Sequence, residues 1–381
     1  MKVVIAPDSF KGALSAPEVA EAIASGLRRV FPDAECALLP VADGGEGTAA
    51  ALASATGGEL LAESVTGPLG EPVEARWALL GDGRTAVVEL AEAAGLTLVP
   101  ADRRDPRVTT TRGVGELLLA AARHPGVSRL LVGLGGSATN DGGAGILHAL
   151  GFRLRTAAGE ELPPGGAALA HLASVETTGM ALPRALEVVI ACDVDNPLAG
   201  PRGASAVFGP QKGATPDDVA RLDAALAHYA SKMAETTGRD VSAVPGAGAA
   251  GGAAAGLLWA FPEAQLRPGI DLVLDAVDFE ARLRGADLVL TGEGRLDAQT
   301  LGGTVVAGVA RRARAAGVPA VGAIVGGLAP DVDLGGLERR LGVAAVMPLA
   351  PGPCTLEESV AATRVWLADA AERAARWMRI I

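Results

Sequence analysis

Apolar and polar positions follow a regular order over the first 56 residues. Residues 2–6 form a short apolar run that ends in Pro-Asp-Ser, which predicts a buried strand followed by a loop. Ser15 then precedes a proline, a glutamate and an amphipathic stretch, a pattern that predicts a capped helix. An apolar stretch over residues 35–41 and an alanine-rich stretch ending at Thr56 repeat these two elements. The β-α-β-α order predicts a parallel sheet with crossover helices.

The pattern changes after residue 57 and returns late in the sequence. Residues 59–90 contain short strand-like pieces separated by Gly-Pro and Gly-Asp-Gly turns, which predicts an antiparallel meander. Apolar runs that predict buried strands recur over residues 286–291, 318–325 and 343–349. Two early and three late strands are enough for one five-stranded parallel sheet.

These elements are best explained by two α/β domains. Residues 1–56 and 282–381 are predicted to form a discontinuous flavodoxin-like domain with a doubly wound parallel sheet. Residues 57–281 are predicted to form a second, mixed α/β domain that is inserted into the first. Ligands of doubly wound sheets bind outside the carboxyl ends of the strands, and the candidate loops come from both domains. We therefore expect the active site in the cleft between the domains.

The composition narrows the class of protein. With 49% hydrophobic and 20% charged residues, the 381-residue chain has enough apolar material for folded cores, which excludes global disorder. A formal net charge of −11 disfavours nucleic acids and anionic membranes as partners. No stretch resembles a signal peptide or an uninterrupted membrane span, and the three cysteines are too widely spaced for a CxxC metal site. We expect a cytoplasmic enzyme and leave homo-oligomerisation open.

Lysine is rare in this chain. Only four of the 33 basic residues are lysines, and Lys11 and Lys212 both lie in glycine-containing turns. A compact ammonium in such a turn serves chemistry that a broad planar guanidinium cannot serve. We therefore predict that Lys11 and Lys212 neutralise phosphate or carboxylate charge, with Gln211 in the same turn as Lys212.

Residues 135–143 form a glycine-rich loop between a predicted strand and a predicted helix. This arrangement aims backbone N–H groups and a helix N-terminus at an anion, and Ser137, Thr139 and Asn140 add side-chain donors. The loop matches neither a Walker A motif nor GxGxxG. Phosphate binding and a plain turn in which Asp141 caps the next helix both remain open.

Further acidic residues end other predicted strands. Asp193 and Asn196 follow an apolar strand, where they suit a general base or Mg²⁺, although an Asx-type turn before a proline is the alternative. The pair Asp43 and Glu46 lies in a loop of the form Asp-Gly-Gly-Glu-Gly. Together with the motif Gly-Glu-Gly-Arg-Leu-Asp at residues 292–297, these loops suit phosphoryl transfer, which needs carboxylates for a metal and cations for phosphate.

The same residues carry a family resemblance. The chain strongly resembles the bacterial type I glycerate kinase family through the collinear segments MKVVIAPDSFKGALSA, LPVADGGEGT, TGPLGEPVEA, GLGGSATNDGGAG, ACDVDNPLAGPRGASAVFGPQKGAT, PGAGAAGGAAAG and ADLVLTGEGRLDAQT. The resemblance implies ATP-dependent phosphorylation of D-glycerate, typically at the 2-hydroxyl, with ATP and Mg²⁺ as cofactors. It also implies a flavodoxin-like domain into which a second α/β domain is inserted. The resemblance weakens over the last ~50 residues.

Two positions depart from the family pattern. Thr304 stands where the family usually has a lysine, so that any charge the lysine supplies must come from elsewhere in this chain. Gly12 stands where the family often has an acid, at a position that we expect to be peripheral.

We assign roles to the candidate residues as follows. Five carboxylates compete for the role of general base: Asp8, Asp43, Asp141, Asp193 and Asp297. We favour Asp193, because a side chain that directly follows a buried strand is held rigidly, with Asp297 or Asp8 as the alternative if Asp193 serves the metal. The catalytic residues are predicted to be Asp193, Lys11, Lys212 and Arg295; the substrate- or phosphate-binding residues Asp8, Ser9, Gly135, Gly136, Ser137, Thr139, Asn140, Asp141, Asn196, Gln211, Gly292 and Glu293; and the metal ligands Asp43, Glu46 and Asp297. The alternatives are a kinase for another small hydroxy acid, phosphorylation at the 3-hydroxyl, and a non-catalytic protein that binds a sugar acid or a nucleotide.

Overall fold

A computed structural model describes residues 1–177, 186–297, 304–330 and 332–379 of the protein. The strands are β1 (Lys2–Pro7), β2 (Glu35–Leu38), β3 (Glu59–Thr66), β4 (Pro72–Leu79), β5 (Thr85–Glu89), β6 (Arg129–Gly133), β7 (Arg153–Thr156), β8 (Leu172–Glu176), β9 (Glu187–Ala191), β10 (Gln265–Arg267), β11 (Leu288–Leu296), β12 (Ala320–Leu328) and β13 (Val343–Pro348). Residues 298–300, which end the last family-like segment, lie outside the described residues.

The helices alternate with these strands. They are α1 (Ala16–Arg28), α2 (Thr48–Thr56), α3 (Leu90–Ala94), α4 (Arg112–Arg123), α5 (Ala144–Ala149), α6 (Ala204–Phe208), α7 (Pro216–Thr237), α8 (Ala249–Ala260), α9 (Gly269–Ala276), α10 (Phe279–Leu283), α11 (Val305–Ala315), α12 (Leu334–Leu341) and α13 (Leu356–Met378). Short 3₁₀ turns include Pro210–Lys212. Within the described ranges no helix is both long enough and apolar enough to cross a bilayer.

Unit 1 consists of Met1–Asp43, Ala50–Gly57 and Ile270–Ile381. Its five strands are all parallel and lie in the order β13-β12-β11-β1-β2. Counted within the unit, this is the 2-1-3-4-5 order of flavodoxin-like sheets, so the predicted fold class is confirmed. The central strand β1 is apolar and completely buried over residues 3–6, because helices cover both faces of such a sheet.

Helix α1 shows why the sequence forms this unit. The N-terminus of α1 is capped by residues next to it in the sequence. Glu18 accepts hydrogen bonds from the backbone N–H and the hydroxyl of Ser15, at 3.0 and 2.7 Å. Val19, Ile23 and Leu27 recur at helical spacing and are completely buried in the core of unit 1. The apolar stripe therefore fixes which face of α1 packs inward.

Unit 2 consists of Gly44–Ala49 and Gly58–Gly269. Its six-stranded sheet has the order β10-β9-β6-β5-β4-β3. The pairs β3–β4 and β4–β5 are antiparallel, which confirms the meander predicted from the turns, whereas β5, β6, β9 and β10 are parallel. The fold is therefore α/β in both units, with a mixed sheet in the second.

Two segments differ in unit from the sequence-based assignment. Gly44–Ala49 was assigned to the flavodoxin-like domain but belongs to unit 2, where its glycine backbone packs on the ends of β6 and β9. The segment from Ile270 to residue 281 was assigned to the inserted domain but belongs to unit 1, where Ile270 packs against Gly308 of α11. Neither contact could be read from local patterns, because both join distant parts of the chain.

Candidate functional site

In unit 1, Asp8 lies at the point where the strand order reverses. Strand β1 is flanked by β11 on one side and β2 on the other, and Pro7 pairs with Gly292 of β11. The Asp8 backbone N–H donates to the Gly292 carbonyl at 2.8 Å, which continues this ladder by one residue. Ligands of doubly wound sheets bind at this switch point, so Asp8 occupies the position that the fold favours for a ligand.

The surroundings of the Asp8 carboxylate disfavour its charged form. Burial raises its pKa to about 6, and repulsion by Asp43 acts in the same direction. The Ser9 backbone N–H donates to Asp8 Oδ1 at 2.6 Å, and this bond together with the charge of Lys11 partly offsets the rise. Asp8, Ser9, Lys11 and Asp43 thus form one electrostatic group at the ends of β1 and β2.

Three predicted residues of β11 extend this group. Gly292 supplies the carbonyl that fixes Asp8, while Glu293 is buried and pairs in register with Val325 of β12. Arg295 is exposed and lines the same cavity as Lys11. Asp297 is half-buried at the end of the strand.

The assignment of three metal ligands, Asp43, Glu46 and Asp297, stays a prediction. Among the residues that the structure describes, no group of three or more His, Cys, Asp or Glu side chains is placed to hold a metal ion. Glu46 belongs to the Gly44–Ala49 segment of unit 2 and is exposed. Within unit 1, the carboxylates that interact directly are those of Asp8 and Asp43.

In unit 2, three parallel strands end side by side. Glu89 at the end of β5 pairs in register with Gly133 at the end of β6, and Gly133 pairs with Ala191 at the end of β9. Asp193 follows two residues later. The carboxyl edge of this sheet thus carries a carboxylate on each side of a glycine-rich strand end.

Glu89 is a candidate residue that the sequence patterns did not single out. Its side chain is buried, and burial raises its pKa to about 7, with the charge of Glu92 acting in the same direction. The Ala49 backbone N–H donates to Glu89 Oε1 at 3.3 Å, at the start of α2. A carboxyl group with a pKa near 7 suits proton transfer at neutral pH. The signal that could have found it is the glutamate that ends the apolar run Thr-Ala-Val-Val-Glu.

The Gly44–Ala49 segment lies directly on this edge. A Cβ atom on Gly133 would lie 2.5 Å from the Gly44 carbonyl oxygen, and one on Gly135 would lie 2.8 Å from Gly45 Cα. Gly44 itself has φ +89° and leaves no room for a side chain, because its Cβ would lie 2.7 Å from that of Ala191. The glycines at 44–45 and at 133–135 are therefore required because the two backbone segments lie in direct contact.

The glycine-rich loop is held mainly from inside the unit. Lys212 is 1% exposed, and its Nζ donates to Ser137 Oγ at 2.8 Å and to the Thr139 carbonyl at 2.6 Å. Burial lowers the pKa of Lys212 to about 7, although the charge of Asp141 opposes this shift. The Asn140 amide donates to Ser205 Oγ at 2.9 Å. Lys212, Ser137 and the Asn140 amide nitrogen thus bond within unit 2, whereas Thr139 Oγ1 and Asn140 Oδ1 are buried without a hydrogen-bond partner among the described residues. The role of these side chains toward phosphate stays a prediction.

The part of the loop that reaches the surface is its backbone. Gly135 is half-buried and Gly136 is exposed, whereas the following residues to Asp141 are buried. The Gly136 carbonyl accepts the Leu96 N–H at 2.8 Å, which fixes the backbone of the exposed turn. The groups of this loop that are accessible at the surface are therefore those of the Gly135 and Gly136 backbone.

Asp141 bonds to the start of the helix that follows the loop, as its capping interpretation predicted, and also to the start of α4, which that interpretation did not include. Its carboxylate accepts the backbone N–H of Thr111 at 2.8 Å, before α4, and that of Gly143 at 3.1 Å, before α5. It also accepts the Thr111 hydroxyl at 2.9 Å. Burial is the main cause that raises its pKa. The buried carboxylate thus fixes both helices to the glycine-rich loop.

A left-handed turn in α8 packs against the buried part of the glycine-rich loop. Ala250, Gly251 and Gly252 have φ values of 53°, 69° and 86°, and the Gly251 carbonyl accepts the Gly142 N–H at 3.0 Å. A Cβ atom on Gly251 would overlap the Thr139 carbonyl oxygen. The alanine- and glycine-rich segment is therefore required for a close backbone contact.

The predicted residues of the 191–213 region are on the surface or in turns. Asp193 is exposed, and its Oδ1 accepts the Gly269 N–H at 2.9 Å, at the start of α9. The Asn196 amide donates to the Arg202 carbonyl at 2.8 Å, so it closes a turn, and Gln211 is exposed beside buried Lys212. Thr304, the departure from the family pattern, is the residue that precedes α11.

Comparison with known proteins defines the class of this α/β protein. The model of the Glycerate kinase family matches residues 3–379. The chain belongs to the glycerate kinase family, and the resemblance noted in the sequence is confirmed.

Individual relatives cover nearly the whole chain. The protein is similar to the glycerate kinase of Bacillus subtilis (strain 168), with 51% identity over 360 residues, 94% of this chain and 93% of that protein. It is also similar to the glycerate 2-kinase of Escherichia coli (strain K12), with 49% identity over 361 residues, again 94% and 93% of the two chains. A crystal structure of a protein provisionally named glycerate kinase 2, from Salmonella typhimurium LT2, superposes with a TM-score of 0.89 at 47% identity, covering 100% of this chain and 98% of that one.

The buried lysine predicts an unusual pH dependence of stability. Below pH 7 Lys212 is protonated in both folded and unfolded chains, whereas between about 7 and 10.5 only the unfolded chain keeps the proton. The contribution of Lys212 to the free energy of unfolding should therefore increase as pH rises through this window. We expect Lys212→Met to lack this increase when the protein is unfolded with urea. Lys232→Met, at a more exposed lysine of α7, is the control and should follow the wild-type curve. Identical slopes for the wild type and Lys212→Met would contradict the burial of the amine.

Glu89 predicts the opposite trend at lower pH. Its pKa is raised from 4.5 to about 7, so its contribution to stability is largest below pH 4.5 and is lost as pH rises through about 7. The free energy of unfolding of Glu89→Gln, relative to that of the wild type, should therefore rise by on the order of 2 kcal/mol between pH 4.5 and 7.5, as measured by urea unfolding. Glu63→Gln, at an exposed position of β3, should show no such change. A pH-independent difference would mean that Glu89 is ionised throughout.

Proposed function

We propose that the protein catalyses ATP-dependent phosphorylation of D-glycerate at the 2-hydroxyl, giving 2-phospho-D-glycerate and ADP. The observation that carries this proposal is the identity of about half of all residues, over 94% of the chain, to proteins named glycerate kinase and glycerate 2-kinase. The name of the second relative supports the 2-hydroxyl as the acceptor. The clustered carboxylates and cations at the strand ends of unit 1 fit a phosphoryl-transfer enzyme better than a protein that only binds an anion.

The Asp8–Asp43 pair is the proposed magnesium site. Repulsion between the two carboxylates helps to raise the pKa of Asp8, and a divalent cation would remove this repulsion, so the residues fit the metal. Magnesium in kinases is usually held by one or two carboxylates together with phosphate oxygens and water, so a third protein carboxylate is not required. When bound, the ion would neutralise charge on the β- and γ-phosphates. Lys11 stands beside this pair and would supply the protein's own positive charge.

Asp193 is the proposed general base. Its backbone follows β9, and the Gly269 N–H holds Oδ1 in place, so the carboxylate is both accessible and oriented. It would accept the proton of the glycerate 2-hydroxyl as the oxygen attacks phosphorus. Gly135 and Gly136 would offer backbone N–H groups to the glycerate carboxylate, while Lys212 fixes their loop from inside.

Glu89 is the second candidate for the base. Its pKa of about 7 suits a base at neutral pH, and it ends a strand of the same sheet edge as Asp193. Its burial and its bond to the Ala49 N–H favour a structural role at the start of α2. The two assignments differ in what each amide variant does to turnover.

The identity of the product tests the proposed reaction. Incubation with Mg²⁺, ATP and D-glycerate should release ADP and accumulate 2-phosphoglycerate, followed by phosphorus NMR. A product phosphorylated at the 3-hydroxyl would contradict the regiochemistry. Turnover of another small hydroxy acid in preference to D-glycerate would contradict the substrate, and no turnover of any hydroxy acid would favour a binding protein.

Removing the base tests the assignment of Asp193. Asp193→Asn should lower kcat by roughly 10²- to 10⁴-fold, the usual contribution of a general base, with little change in the KM for ATP. Asp195→Asn, two residues further in the same loop and 76% exposed in a salt bridge with Arg202, is the matched control and should retain near-normal kcat. If Glu89→Gln shows the large loss in kcat and Asp193→Asn does not, the base is Glu89.

A further inference from the structure

The carboxyl edge of the unit 1 sheet contains a cavity that the proposed reaction has not yet used. The cavity has a volume of about 290 Å³. It is lined by residues that follow β1, by the ends of β11 and β12, and by the first two turns of α13. Every lining residue belongs to unit 1. Sites for small ligands begin at roughly 300 Å³, so the cavity suits the base and sugar of a nucleotide while the phosphates extend beyond it.

One side of the cavity is cationic. Lys11 and Arg295 both line it, and both side chains are exposed. Among the described residues neither of them has an ion-pair partner, whereas Arg312, for example, is bound to both Asp275 and Glu280. Two cations that form no salt bridge within the described part of the chain, at one cavity, match an anionic ligand with more than one charged group.

The other side of the cavity is apolar and exposed. Leu328, Leu356 and Val360 are 39%, 81% and 37% exposed, and all three line the cavity. Large aliphatic side chains cluster at a surface cavity where a ligand covers them. Glycerate has no apolar group to offer them. A planar purine does, and its phosphates would match the cations on the opposite side.

We propose that this cavity binds the adenine nucleotide, with the adenosine against Leu356 and Val360 and the phosphates along Lys11 and Arg295 toward Asp8. The proposal rests on the proposed kinase function and assigns the phosphoryl donor to unit 1. Lys11 lies three residues beyond Asp8 in the same loop, so phosphates bound along Lys11 would extend toward Asp8. The fold supports the placement, since this is the sheet edge at which doubly wound proteins bind nucleotides.

Direct binding of ADP and adenosine, measured by titration calorimetry, tests the cavity without turnover. Val360→Glu should weaken both ligands at least tenfold, because it places a charge on the apolar wall. Val365→Glu, on the same helix, 60% exposed and not lining the cavity, should change neither affinity more than twofold. Leu356→Glu is the second cavity variant. It cannot disturb the core, because Leu356 is 81% exposed at the first turn of α13, where an acid suits the helix dipole.

The cationic side is tested by charge removal. Lys11→Ala should weaken ADP at least tenfold and adenosine less than twofold, because only ADP carries phosphates. Lys2→Ala removes a lysine at the opposite end of β1, where its Nζ donates to the Arg284 carbonyl, and should leave ADP binding unchanged.

The outcomes separate this assignment from the reaction. If D-glycerate is phosphorylated normally and ADP binds Val360→Glu, Leu356→Glu and Lys11→Ala as tightly as the wild type, the nucleotide site lies elsewhere and the cavity assignment is wrong. If D-glycerate is not phosphorylated but ADP affinity falls in these variants as expected, the cavity assignment stands and the proposed reaction fails. Raised KM values for ATP in the two cavity variants, with an unchanged KM for D-glycerate, would support both.

Discussion

The enclosure of the Lys212 ammonium group is the constraint on which the glycine-rich loop of unit 2 depends. A buried amine needs hydrogen-bond acceptors, and here they are Ser137 Oγ and the Thr139 carbonyl. Asp141 supplies a compensating charge while its carboxylate also caps α4 and α5. One buried pair of charges thus ties a loop, two helices and a 3₁₀ turn together. Burying the amine costs free energy, and its hydrogen bonds and the charge of Asp141 offset this cost. The resulting network holds the backbone at Gly135 and Gly136 in a single conformation.

Each unit presents its candidate chemistry at the carboxyl edge of parallel strands. In unit 1 the edge is a reversal point of strand order, and Asp8 stands where two crossover connections diverge. In unit 2 the edge is formed by β5, β6 and β9, and backbone segments approach so closely there that only glycine fits at several positions. Such an edge forms in any parallel sheet, because all strands run in the same direction and the residues that follow them lie on the same side of the sheet.

The sequence predicted what is local and missed what is distant. The apolar runs of β1, β11 and β12 and the turns of the β3–β5 meander are local, so strand positions and the flavodoxin-like order could be inferred from pattern and chain order. The rarity of lysine singled out Lys212, but not its burial, because its partner Ser137 lies 75 residues away. Glu89 was missed for the same reason: burial in the folded unit raises its pKa, and the Ala49 N–H that partly offsets the rise lies 40 residues away in the sequence. The exposure of Asp193 and its bond to Gly269, 76 residues further on, likewise depend on tertiary structure.

The membership of Gly44–Ala49 in unit 2 has a consequence for how separable the units are. The chain passes from one unit to the other after residues 43, 49, 57 and 269, so neither unit corresponds to a single continuous peptide. A fragment cut at residues 58 and 269 would lose the six residues that cover Gly133 and Gly135 and that supply the N–H group bound by Glu89. It would expose a glycine-lined sheet edge and a buried carboxyl group at the same time. The short segment therefore makes the two halves of the molecule interdependent in folding, and limited proteolysis at residue 57 alone could not release an intact unit.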